Sequence, residues 1–183
     1  MDAPPPATCR EIYQGHVIRV YVETVRLPNG RTVALDQVRH PGAVAVVPLL
    51  PDGRVVLIHQ YRHAAGGFIY EIPAGKLEKG EPPELCARRE VEEETGYHVG
   101  EIQHLTTILT APGFCDERIH LYLGTRLTPG HAHPDPDEVL RVVEMPLDEA
   151  MAQIDRQDIC DAKSIVALQM VYRRQHALMK KKE

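Results

Sequence analysis

The chain has 183 residues, 43% of them apolar and 26% charged, with a formal net charge of −5 at pH 7. That length suits one main domain with a sizeable core, and the negative balance excludes a protein that grips nucleic acid by broad phosphate neutralisation. A small anionic substrate stays compatible, because bound metal ions invert the local field.

The first ten residues, MDAPPPATCR, are Pro-rich and expected to be disordered, with no apolar core of signal-peptide length. No run approaches the roughly 20 apolar residues needed to cross a bilayer, which points to a cytoplasmic protein. Residues 11–40 read as a small N-terminal antiparallel sheet, with β-rich pieces at 12–14, 17–27 and 32–38. Asn29-Gly30 signals a hairpin, expected as a type I′ turn with positive φ at both residues. The sheet's apolar side is only partly clean, so it needs the main domain or a second subunit to dock on.

Residues 41–183 read as the main domain. Residues 43–50 are nearly all apolar, as in a strand buried on both faces, and 55–62 form a second core strand after the Pro51-Asp52-Gly53-Arg54 turn. Residues 68–72 lead into a helix over 82–95, opened by Pro82-Pro83 and closed by Gly96. Strands follow at 99–109, 118–127 and 139–145. The loop 110–117 separates the first two, and the loop 128–137, with His131 and His133, precedes the third. Helices span 147–156 and 162–179, the second with Asp161 as its N-cap. Cys9, Cys86, Cys115 and Cys160 contain no CxxC pair and read as reduced thiols, Cys86 as a small packing residue. Strands mixed with helices in this order give an α/β sandwich.

The chemistry concentrates on the 82–95 helix. Glu90, Glu93 and Glu94 fall at i, i+3 and i+4 on one face, and Glu92 points elsewhere. Like charges at this spacing destabilise a helix by roughly 0.2–0.5 kcal/mol each, which Arg89 offsets only in part. Clustered oxygens are what a hard divalent ion such as Mg²⁺ prefers, with phosphate oxygens as its remaining ligands.

Written out, the stretch is Gly75, five residues, Glu81, seven residues, Arg89-Glu90-Val91, one residue, Glu93-Glu94, one residue, Gly96-Tyr97. It resembles the Nudix box of the Nudix hydrolases at every fixed position, with Tyr97 where the family usually has an aliphatic residue. Outside the box, VRHPGAVAVVPL, HQYRH, YEIPAGKLE and TAPGFCDERIHLYL resemble the ADP-ribose pyrophosphatase branch. The resemblance implies a Nudix α/β/α sandwich with a mixed sheet, plus the small N-terminal antiparallel sheet, which in that branch is commonly exchanged in a homodimer. It implies Mg²⁺, with Mn²⁺ as a substitute, held by Glu90, Glu94 and the backbone oxygen of Ala74. Glu93 matches a position that binds metal or assists the water. Branch members often take the general base from a late, mobile loop, here Asp135, Asp137 or Glu138; Glu138 is favoured, and Glu117 is a second candidate. Arg62 matches a contact to substrate phosphate or ribose; Glu71 is a candidate to hydrogen-bond ribose or brace Arg62, and Arg39 a candidate phosphate contact across a dimer. Arg89 is expected to pair with Glu93. The implied reaction is metal-dependent hydrolysis of ADP-ribose or an ADP-sugar to AMP and a sugar phosphate. The alternatives are a GDP-sugar or other nucleoside diphosphate derivative as substrate, or a non-catalytic ligand sensor.

Overall fold

The computed structural model describes residues 6–179. It resolves into two compact units, one of residues 6–42 with Leu109–Arg118, the other of Ala43–Ile108 with residues 119–179.

In the first unit, strands β1 (Thr8–Gln14), β2 (Arg19–Arg26) and β3 (Thr32–Arg39) form an antiparallel sheet in the order β1-β2-β3. β1 begins inside the stretch expected to be disordered, because Thr8, Cys9 and Arg10 pair with Thr24, Glu23 and Val22 and so satisfy their backbone groups. Met1–Pro5, in the same expected stretch, lie outside the described residues. The β2–β3 hairpin also differs from expectation: only Gly30 has positive φ, at 85°, and the Leu27 amide donates to the Arg31 carbonyl across three residues. This is the longer loop in which glycine takes the left-handed position, so Asn29 serves instead as an acceptor for the Arg31 amide. Residues 109–118 extend this unit, through an isolated parallel bridge between Val38 and Cys115.

The second unit is organised around β4 (Ala43–Pro48), which is buried at every position. Successive side chains on a strand point to opposite faces, and here both faces are covered. Ala43, Ala45 and Val47 join a core with Val55 and Leu57 of β5 (Arg54–Arg62), Leu147 and Ala150 of α2 (Leu147–Asp155), and Ala167, Leu168 and Val171 of α3 (Ala162–Met179). Val44 and Val46 join a second core with Val56 of β5 and Cys86, Ala87 and Val91 of α1 (Pro83–Thr95). Two helical layers therefore enclose the sheet layer, the expected α/β/α sandwich. β4 runs parallel to β9 (Arg118–Pro129) and antiparallel to β7 (Ala74–Lys76), in a mixed sheet ordered β7-β4-β9-β8, with β8 at Tyr97–Leu109. The remaining sheet, β10-β5-β6, is antiparallel, with β6 at Gly67–Glu71 and β10 at Leu140–Pro146. β7 leaves no readable period in the sequence, since it is three residues long and follows a proline.

Both helix ends that matter for the site are fixed by short-range chemistry. Pro82 precedes α1 with extended backbone, and Gly96 ends it at φ 74°, donating its amide to the Glu92 carbonyl. Tyr97, the departure from the family pattern, gives its hydroxyl to Glu144, which also pairs with Arg54. At α3, the Ser164 amide donates to Asp161 Oδ2 at 3.0 Å, so Asp161 is the N-cap.

Gly96 also admits the 128–137 loop. The Gly130 amide donates to the Gly96 carbonyl and the His133 amide to the Glu93 carbonyl, and a Cβ on Gly96 would lie 2.7 Å from the Ala132 nitrogen. Gly96→Ala should therefore cost about 1–3 kcal/mol in urea unfolding, from left-handed strain and the clash with backbone. Gly30→Ala, equally left-handed but with open space around it, should cost less.

Candidate active site

α1 brings its carboxylates against β7 at very short range. An added Cβ on Gly75 would fall 1.9 Å from the Glu90 carboxyl carbon, so only glycine lets this helix face approach the strand. The neighbouring Ala74 amide donates to Glu94 Oε2 at 2.9 Å. Glu94 is fully buried, and its other oxygen, Oε1, has no hydrogen-bond partner among the described residues. An isolated charge in this position is costly, and burial accordingly lifts the Glu94 carboxyl well above its ordinary range, with the Glu138 and Glu90 charges adding to the effect. Burial likewise raises Glu90 to about 7, against the attraction of Arg89.

Arg89 is the cation of this face. It bonds Glu81 through two nitrogens at 3.0 and 3.1 Å, and reaches Glu90 at 2.7 Å and Glu93 at 2.8 Å. One guanidinium thus serves three carboxylates and leaves Glu94 to other groups. Glu92 faces away and pairs with His98. Among the described residues, no three His, Cys, Asp or Glu side chains are already gathered as a metal cluster. The donor set still fits a hard divalent cation: hard carboxylate oxygens, one of them orphaned in a buried position, beside a glycine that leaves room for nothing else.

The NUDIX domain family pattern matches residues 39–168, which include this whole constellation. The chain belongs to the Nudix family. It is 44% identical over 161 residues, 87% of each chain, to the methanol dehydrogenase activator of Bacillus methanolicus. It is 41% identical over the same length and coverage to the ADP-ribose pyrophosphatase of Bacillus subtilis strain 168. In fold it superposes on the crystal structure of an ADP compounds hydrolase with TM-score 0.83 and 20% identity, covering 97% of this chain and 98% of the other.

Around the Nudix carboxylates, the structure separates the sequence-derived candidates. Glu138 is half-buried, and its charge acts on both Glu90 and Glu94; Asp135 and Asp137 are exposed. The Glu138 carboxylate accepts the Asp135 amide, which closes a tight turn in the loop strapped to α1. Arg62, at the end of β5, donates Nε to Glu71 Oε2 at 2.7 Å, and its charge is felt at Glu94. Glu71, 4% exposed, also receives Lys163 on Oε1, a partner the sequence reading missed. Its available signal was a lysine in the first turn of a helix, where the macrodipole disfavours a cation. Arg39 and Glu117 belong to the first unit and already have partners there: Arg39 pairs with Glu23 and lies over the Tyr21 ring, and Glu117 accepts Thr110 and pairs with His40. Cys86 is buried, its thiol pushed up to about 12 chiefly by that burial, so it packs rather than reacts.

The Arg89 pair gives a pH test. Hydrogen bonding to Arg89 holds Glu81 down at about 2. A folded carboxyl below its unfolded value stabilises fully above the ordinary carboxylate range and loses that contribution as pH falls toward 2. Glu81→Gln should therefore cost about 1–2 kcal/mol at pH 7, the strength of a charged hydrogen bond partly screened by solvent. In denaturant melts from pH 7 downward, the gap between wild type and variant should close as the acid limit is approached.

Proposed function

We propose that the chain hydrolyses the pyrophosphate bond of ADP-ribose or a closely related ADP-sugar, giving AMP and a sugar phosphate. The observation that carries the reading is the buried Glu94, with one oxygen orphaned, beside Glu90 on the glycine-backed face of α1. The ADP-ribose pyrophosphatase name of the Bacillus subtilis relative supports the substrate class. Glu90, Glu94 and the Ala74 carbonyl are the proposed ligands of Mg²⁺, or of Mn²⁺ in its place, with Glu93 as a helper. When bound, the metal supplies Lewis acidity, a more acidic water and neutralisation of phosphate charge.

The remaining roles fall to the protein. Glu138 takes the proton of the attacking water, as its placement near Glu90 and Glu94 supports, and Glu117 is the second candidate. The water oxygen bonds to phosphorus as the bridging phosphoanhydride bond breaks, and the proton ends on the base. Arg62, braced by Glu71, binds the diphosphate, for which a planar guanidinium is suited. Arg39 is proposed as a further phosphate contact in a homodimer formed through the N-terminal sheet. No helix among the described residues is long and apolar enough to cross a membrane, and a cytoplasmic location is part of the same proposal.

A panel of nucleotide sugars incubated with protein and Mg²⁺, with products identified, tests this reading. ADP-ribose should yield AMP, and Glu94→Gln should lower the rate at least about 100-fold, the upper end of the loss caused by removing even an outer-shell partner of a metal. Preferential release of GMP from a GDP-sugar would move the substrate assignment. Binding of ADP-ribose without hydrolysis would favour a ligand sensor.

A further inference from the structure

Lys163 occupies an unfavourable place for a cation. It lies in the first turn of α3, where the helix dipole repels positive charge, and its long side chain gives up rotamer freedom to sit only 11% exposed. Two carboxylates compensate: Glu71 Oε1 at 2.5 Å and Asp161 Oδ2 at 3.0 Å. Asp161 already has its own task as N-cap. The joint between α3 and the end of β6 is also already made, since Ser164 Oγ accepts the Ile72 amide at 2.9 Å while donating to Asp161. What Lys163 adds to that joint is its contact to Glu71 Oε1.

Glu71 has its two oxygens divided between two cations. Lys163 holds Oε1, and Arg62 reaches Oε2 through Nε. Arg62 is 40% exposed, and its two terminal nitrogens donate to no other described residue. If Lys163 were absent, a nearly buried oxygen of Glu71 would lose its partner, and Arg62 would be the cation left in reach. A guanidinium beside an uncovered carboxylate forks onto both oxygens, which withdraws the terminal nitrogens from solvent.

We propose that Lys163 is a positioning residue for substrate binding: by occupying Glu71 Oε1 it restricts Arg62 to a single Nε contact and keeps the terminal guanidinium nitrogens presented to the substrate diphosphate. This deepens the proposed function and rests on it, because it takes Arg62 as the phosphate contact. Lys163 acts through Glu71 and touches neither substrate nor metal.

Steady-state kinetics with ADP-ribose and Mg²⁺ test the proposal. Lys163→Met should raise KM about 10-fold, the loss of one charge-assisted contact, while kcat stays within about threefold, because ground-state and transition-state binding weaken together. Lys163→Arg, which retains a donor and the charge, should recover KM to within about threefold of wild type. In a Glu71→Gln background, Lys163→Met should change KM less than about twofold, since the interaction it acts through is already gone. Should Lys163→Met melt below the assay temperature, Lys163→Gln carries the same expectation. A folded Lys163→Met or Lys163→Gln protein with wild-type KM overturns the proposal, as does a full KM effect in the Glu71→Gln background. A wild-type protein that leaves ADP-ribose intact overturns the functional reading instead, and with it the role of Arg62 assumed here.

Discussion

Everything near the site depends on the closeness of α1 to β7. Without a side chain at Gly75, the Glu90 carboxyl can occupy the space where a Cβ would stand, and the Ala74 amide can reach Glu94. Burying two carboxyls runs against their ionisation: burial is the main cause that raises both, with the Glu93 and Glu138 charges adding at Glu90 and the Glu138 and Glu90 charges adding at Glu94. The fold sustains the arrangement through apolar side chains of the same buried helix face, where Cys86, Ala87 and Val91 pack against Val44, Val46 and Val56. A partly satisfied buried polar group of this kind is costly in a purely structural element and sensible in one that receives a cation.

The second organising device is the sharing of cations. Arg89 sits among Glu81, Glu90 and Glu93, ordering the loop before α1 as well as the helix itself. Arg62 and Lys163 divide Glu71 between them on the other side of the sheet's end. In both places a carboxylate aligns a guanidinium, but the exposures differ. Arg89 uses its nitrogens on protein partners, whereas the terminal pair of Arg62 donates to no other described residue. That contrast separates a cation that builds the site from one suited to bind a substrate.

Much of this was legible in the sequence, for identifiable reasons. The uninterrupted apolar run from Ala43 marks a strand covered on both faces, and the Pro82-Pro83 start and Gly96 stop bracket α1 because those residues have few other uses there. The spacing of Glu90, Glu93 and Glu94 put them on one face, although only Glu90 and Glu94 are buried. What the sequence hid depends on long-range contacts. β7 is too short to show a period, and β1 extends back to Thr8 only because β2 lies beside it. The hairpin at Asn29-Gly30 needed one left-handed residue rather than two, a distinction set by its loop length of three. Lys163 is 92 positions from Glu71, so its place in a first helical turn signals the need for a carboxylate without saying which one supplies it.

The central claim is that the buried carboxylates of α1 exist to hold a divalent metal, and direct binding of Mn²⁺ measured by electron paramagnetic resonance tests it without reference to any substrate. Wild-type protein should bind Mn²⁺ saturably, with Glu94→Gln and Gly75→Ala each weakening the affinity by at least about 10-fold while the fold, read by circular dichroism, is retained. Equal Mn²⁺ affinity in wild type and a folded Glu94→Gln protein would contradict the account.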